Sequence, residues 1–226
     1  NFENDQRHGK GSFIGSDGYE YTGNWENGQI QGQGRVIYPD GSVYTGAFGN
    51  GLAEGEGKIT YPDGSSYQGA WVAGVIEGEG LAIYPNGITY KGGFKGARNH
   101  GFGVMRYSDG YIYEGNWQDG MRNGQGKATF ADGMVYEGDY LAGRRHGKGK
   151  IQLPDGFVYQ GDWENGEITG QGTATYANGD IYEGTFVKGK RQGQGTIKFA
   201  SGEEATGSWK DGALVSTDQD GVVKEE

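Results

Sequence analysis

Residues 21–43 read YTGNWENGQIQGQGRVIYPDGSV, and residues 44–66 read YTGAFGNGLAEGEGKITYPDGSS. The same 23-residue spacing carries Tyr-x-Gly along the chain at Tyr21, Tyr44, Tyr67, Tyr90, Tyr113, Tyr136, Tyr159 and Tyr182, with Ala205 in the ninth place. No insertion breaks the register. A fixed period of this length means that each copy is one supersecondary unit stacked on like neighbours.

Within one copy the pattern gives two strands. Side chains alternate across a strand, so Tyr21, Gly23 and Trp25 share one face while Thr22, Asn24 and Glu26 take the other. The second strand puts Gly32, Gly34, Val36 and Tyr38 on one face and Gln33 and Arg35 on the opposite one. Its apolar column continues as Phe13, Ile59, Ala82, Met105, Ala128, Ile151, Ala174 and Ile197. Pro39-Asp40-Gly41 and its counterparts supply a fixed negative φ and then a residue free to take positive φ, which is a tight reversal. Each copy is therefore a hairpin with one aromatic-and-glycine face and one polar face.

Glycine weakens a strand unless something fills the space it leaves. Here it shares a face with large rings, and we expect rings from neighbouring strands to lie flat over the glycines. Tryptophan fills every second copy of the aromatic column, at Trp25, Trp71, Trp117, Trp163 and Trp209, alternating with Phe48, Phe94, Tyr140 and Phe186. The expected fold is all-β: an elongated single-layer antiparallel sheet of stacked β-hairpins, an open ribbon and not a barrel. At about 4.8 Å per strand the ribbon would run to roughly 85 Å. Residues 1–8 form a lead-in, 9–212 the array and 213–226 a tail. Leu214-Val215 and Val222-Val223 flank Asp218-Gln219-Asp220-Gly221, so the tail is expected to turn back as a small cap over the last hairpin.

Composition limits the chemistry. The 226 residues include 49 glycines and only 33% hydrophobic residues, too little apolar matter for a thick core. There is no cysteine, hence no disulfide and no thiolate ligand or nucleophile. His8, His100 and His146 each precede a Gly-x-Gly, two or four copies apart. That places them about 19 Å or more from one another, too far to share a zinc ion, and they read as solvated loop histidines. Adjacent members of the turn-aspartate column would stand about 10 Å apart, too far to hold one calcium ion together. Asp218-Gln219-Asp220-Gly221 lacks the downstream acidic ligand of a calcium loop. Gly57-Lys58 fails as a phosphate loop because Leu52 replaces the first glycine and Ile59 the hydroxyl residue. No cofactor and no catalytic residue is expected.

The columns resemble the MORN repeat: Tyr-x-Gly-x-aromatic, a further glycine three residues on, Gly-x-Gly, then Asp-Gly. The resemblance runs from about Gly9 to Gly212, with departures at Gly15, Gly96-Ala97 and Ala205. It implies a non-catalytic scaffold. Such repeats accompany other domains in junctophilins, plant phosphatidylinositol phosphate kinases and a histone lysine methyltransferase, where they are linked to phospholipid binding and protein assembly.

Three functions follow as expectations. The first is a scaffold or protein-binding module that docks a partner helix or peptide in an aromatic groove of Tyr67, Trp71, Tyr90, Phe94, Tyr113, Trp117, Tyr136 and Tyr140. The second is a peripheral module for anionic phospholipid, using a basic loop edge of Arg98, His100, Arg122, Arg144, Arg145, Lys190 and Arg191. The third, ranked last, is a carbohydrate or cell-wall ligand. A net charge of −10 opposes nucleic acid as a partner. A homodimer through the array ends is a further expectation, because an open sheet leaves two unpaired edges. No apolar run approaches the roughly 20 residues that span a bilayer. The chain opens on Asn1 and not Met, so a soluble, exported protein that has lost a signal peptide is one expectation.

Overall fold

A computed structural model describes residues 1–217, and among these there is no helix. It divides into two units, residues 1–109 with 117–120, and residues 110–116 with 121 onward. The first opens on a two-stranded hairpin, β1 (Phe2–Glu3) and β2 (Gln6–Arg7). Its sheet follows as β3 (Gly9–Ile14), β4 (Glu20–Glu26), β5 (Gln29–Ile37), β6 (Val43–Gly49), β7 (Leu52–Thr60), β8 (Ser66–Val72), β9 (Val75–Ile83), β10 (Thr89–Lys95) and β11 (Arg98–Arg106).

After β12 (Ile112–Gln118), the second unit continues as β13 (Met121–Thr129), β14 (Val135–Leu141), β15 (Arg144–Gln152), β16 (Val158–Glu164) and β17 (Glu167–Thr175). It ends with β18 (Ile181–Val187), β19 (Lys190–Lys198), β20 (Glu204–Lys210) and β21 (Ala213–Thr217). In each unit the pairing is antiparallel and follows chain order, β3 to β11 and β13 to β21, as an open run of hairpins that does not return on itself. Residues 213–217 of the expected tail are strand β21, paired with β20. The expected turn at Asp218–Gly221 and the return through Val222-Val223 lie outside the described residues.

The hairpin on β4 and β5 shows how one copy is built. Tyr21 faces Val36, Gly23 faces Gly34, and Trp25 faces Ile30. Between the strands Asn27 and Gly28 both take positive φ, 47° and 81°, a turn whose twist matches that of the strands it joins. The count across the pair slips between Gly23 and Trp25, and Gly32 takes φ 68°, as a bulge residue does. Gly34 serves a different purpose: a Cβ there would sit 2.5 Å from Tyr21 Cε2.

The aromatic rescue is present with one correction. The ring over each glycine pair comes from the glycine's own strand as well as the next one: Tyr21 lies across Gly23 and Gly34, and Tyr44 across Gly46 and Gly57. Its hydroxyl passes the gap and donates to a backbone oxygen three residues on, 2.8 Å to Asn24 and 2.9 Å to Ala47. The tryptophans reach the preceding hairpin, where Trp71 Nε1 donates to Gly57 O at 3.3 Å and Trp163 Nε1 to Gly149 O at 3.0 Å.

Neighbouring hairpins are also tied by backbone rungs. The turn glycine donates to a carbonyl one copy earlier, Gly51 to Ile30 at 3.0 Å, Gly74 to Ala53 at 2.8 Å and Gly166 to Arg145 at 2.8 Å. Within each of the two units the described hairpin tips are thereby fixed to the hairpin before, as expected of a stack in which each copy is completed by its neighbour.

Candidate functional site

The aromatic face is the most regular surface of the molecule, and it is closed. Tyr67, Trp71, Tyr90, Phe94 and Trp117 in the first unit are buried, as are Tyr113, Tyr136 and Tyr140 in the second. They bury one another. Tyr67 meets Trp71 and Phe94 edge-on at 5.6 and 5.0 Å, Tyr90 meets Phe94 and Trp117 at 5.1 and 5.4 Å, and Tyr140 lies between Tyr113 and Tyr136 at 5.2 and 5.3 Å. Edge-to-face contacts of this kind add to the burial energy of each ring. Burial pushes the phenols of Tyr67 and Tyr113 up to about 12 and raises that of Tyr140 further.

The basic residues do not form one ladder. Arg98, Arg144 and Lys190 are exposed at the starts of their strands, while Arg122, Arg145 and Arg191 stand one residue later and turn onto the rings. The Arg122 guanidinium lies 5.3 Å from the Tyr140 ring, Arg145 4.6 Å from Trp163, and Arg191 4.2 Å from Trp209. Arg122 also donates to Tyr111 Oη at 2.6 Å and Gly143 O at 2.9 Å, and Arg191 to Gly212 O at 2.6 Å. These three act as lids on the aromatic row, a structural role that period and charge alone do not reveal.

The histidines are strand residues and not the loop residues expected, apart from His8, which stands between β2 and β3. Their column carries a shared task. Gln31, Glu54, Glu77 and Gln192 at the same position accept the first turn amide of the next copy, from Asn50 at 2.9 Å, Ala73 at 2.8 Å, Gly96 at 3.0 Å and Asp211 at 3.0 Å. His100 is half-buried there, and its buried Nδ1 has no hydrogen-bond partner among the described residues.

The opposite face is polar and differs between the units. In the second, one row satisfies itself: Gln125 Nε2 donates to Asp139, Lys148 N to Asp139 at 2.9 Å, Gln171 N to Asp162 at 2.9 Å, Gln171 Nε2 to Thr185 at 2.8 Å and Gln194 Nε2 to Ser208 at 3.0 Å. The corresponding row of the first unit holds Ala47, Ala70 and Gly93 after Asn24, and these three offer no side-chain donor to the exposed carboxylates of Glu56 and Glu79 between them. At the other end of the strands a cavity of 680 Å³ opens between Leu153, Phe157, Tyr176, Asp180 and Arg191. Among the described residues no group of histidine, aspartate or glutamate is arranged to hold a metal ion, and no helix is long and apolar enough to cross a membrane.

A stack of bulged hairpins locked by tyrosine over paired glycines is a β-hairpin repeat protein. The MORN repeat profile matches residues 1–18, 21–43, 44–66, 67–89, 90–110, 113–135, 136–158, 159–181 and 182–204. The chain belongs to the MORN-repeat family. Comparison with curated proteins returns no match. Among solved structures it is similar to the wild-type TCP10 domain of Danio rerio CPAP, at 11% identity and a TM-score of 0.50, covering 91% of this chain and 98% of that one. The same domain in complex with a peptide of Danio rerio STIL aligns at 13% identity and a TM-score of 0.49, covering 92% and 98%. At such identities the likeness bears on the fold alone.

Proposed function

We propose that the chain is a non-enzymatic scaffold whose strand faces and hairpin tips bind a partner protein. The observation that carries this reading is the contrast between columns. The buried tyrosine column is constant from Tyr21 to Tyr182, whereas the exposed column beside it runs Gln33, Glu56, Glu79, Phe102, Gln125, Lys148, Gln171 and Gln194. A constant interior under a varied surface suits a platform that displays side chains at a fixed pitch. Family membership supports the same reading.

In the finer form, a partner helix or peptide lies along the aromatic row, over Tyr67, Trp71, Tyr90, Phe94 and Trp117 in one unit or Tyr113, Tyr136 and Tyr140 in the other. Burial restrains that form. Such a partner would touch ring edges and the residues that cover them, and the rings would shape and stiffen the face more than contact the ligand. The phospholipid alternative has fewer free cations than the sequence suggests, because Arg122, Arg145 and Arg191 are engaged on rings.

Affinity capture on the immobilised chain, followed by cross-linking, tests the reading. A partner that cross-links to strand-face or tip residues and survives washing at about 0.5 M salt, where exposed charges are screened within a few ångströms, supports it. Binding only to anionic vesicles, reversed by that salt, would transfer the function to lipid.

A further inference from the structure

On the polar face of the first unit the repeat pattern fails in one place, and the other copies serve as controls. Phe102 is 58% exposed in a column otherwise filled by glutamine, glutamate and lysine. Leu81 and Val104 occupy a column that elsewhere holds Arg35, Lys58, Lys127, Lys150, Thr173 and Thr196. Leu81 and Ile83 are 38% and 39% exposed. Since the remaining copies fold with polar residues at the positions of Leu81, Phe102 and Val104, the sheet does not require apolar ones there, whereas the column of Ile83 holds Ile14 and Ile37 as well as Thr60 and Thr129.

The register brings them together. Lys91 is paired with Leu81 on one side and Val104 on the other, and Thr89 with Ile83 and Arg106, so two adjacent rows cross three strands. Directly paired side chains on one face lie about 5 Å apart. Phe102 extends the patch from Val104, and Gly93, in the bulged stretch opposite residues 100–102, puts no side chain in its way. An apolar cluster rimmed by charges on an otherwise polar face marks an interaction site.

Charge identifies the occupant. Residues 89–106 carry Lys91, Lys95, Arg98 and Arg106 and no acid, on a chain of net charge −10. None of the four makes an ion pair among the described residues. We propose that the patch of Leu81, Ile83, Phe102 and Val104, with Lys91 and Arg106 among them, docks an acidic, apolar segment of a partner protein. The apolar side chains seat against Phe102 and Leu81, and the carboxylates reach Lys91 and Arg106. Glu79, paired with Gly93 on the row of Phe102, and Glu56 beyond it oppose a flat anionic membrane at this face and direct the carboxylates of a narrow segment to the Lys91 and Arg106 side of the patch. The inference rests on the protein-binding reading and assigns it a surface distinct from the aromatic row.

The test uses the full chain and a phage-displayed library of random 16-residue peptides. One variant, Leu81→Thr, Phe102→Gln and Val104→Thr, introduces only residues that other copies carry at those positions, so the fold is kept. A second, Lys91→Gln with Arg106→Thr, does the same for the cations. Enriched peptides should combine aromatic or aliphatic residues with Asp or Glu, and each variant should weaken them at least tenfold. Peptides that ignore both variants, or a library that yields no enrichment, would overturn this surface. In the first case the general protein-binding reading survives. Binding of vesicles with 30% phosphatidylserine that the first variant abolishes, without peptide enrichment, would replace the peptide by a membrane.

Discussion

His100 stands where the array is specified one residue at a time. At the same position Gln31, Glu54, Glu77 and Gln192 each accept an amide from the next turn, and at His100 the corresponding amide belongs to Asp119. Its Nδ1 is buried without a partner among the described residues. Replacing it by the residue other copies use, His100→Gln, should restore the acceptor and raise stability by about 0.5–1.5 kcal/mol, the net worth of one hydrogen bond. Urea denaturation reads the change, and a lower midpoint would show that the imidazole packs better than the missing bond is worth. The column spacing identified the shared position, but the acceptor role depends on an amide from another copy and so appears only in three dimensions.

At the scale of the hairpin, the two glycines of Gly-x-Gly are indispensable for different reasons. Gly55 has φ 72° with only the Ala47 Cβ nearby, at 3.8 Å, so Gly55→Ala meets backbone strain of about 1–2 kcal/mol. Gly57 has ordinary φ, but a Cβ there would lie 2.2 Å from Tyr44 Oη and 2.5 Å from its Cζ. Gly57→Ala must therefore displace the ring and should cost about 3 kcal/mol or more. Equal losses at the two sites in thermal denaturation would show that ring contact is not the second glycine's purpose. The tryptophans test the same packing. Trp71 lies between Tyr44 and Tyr67, at 5.2 and 5.6 Å, whereas Trp209 has Tyr182 at 5.0 Å and Ala205 where its own hairpin's tyrosine would be. Trp71→Ala should cost about 3–5 kcal/mol, and Trp209→Ala clearly less. A loss at Trp209 as large as at Trp71 would contradict nearest-neighbour stacking.

At the scale of the whole molecule, the tyrosine column makes high pH a common lever on both units. Burial holds the phenols of Tyr21, Tyr44, Tyr67, Tyr113 and Tyr159 up to about 12, against 10 for a free phenol. Folding raises these values, so the unfolded chain releases its protons first as pH climbs. The stabilisation linked to the neutral phenols is complete below pH 10 and is lost as pH rises through 12. Alkaline titration followed at 295 nm should show these column tyrosines ionising well above pH 10, together with the loss of β-sheet circular dichroism. Column tyrosines that titrate near 10 with the sheet intact would mean that the rings are open to water.

The sequence by itself determined the strands, the hairpin period, the inward columns and the purpose of the Asp-Gly turn glycines, because each copy must repeat the same solution against the same neighbour and the period writes that solution out nine times. It identified the family for the same reason. Only the tertiary structure decided which cations are free: Arg144 and Arg145 are adjacent in the chain, yet one is exposed and the other lies on the Trp163 ring. It likewise placed Tyr67 and Trp71 inside a closed aromatic row, and it gathered Leu81, Lys91 and Val104 into one row across three strands. Such facts depend on cross-strand register and on which side of a strand a bulge turns a side chain. Both are set by contacts between copies, beyond the reach of any pattern within one.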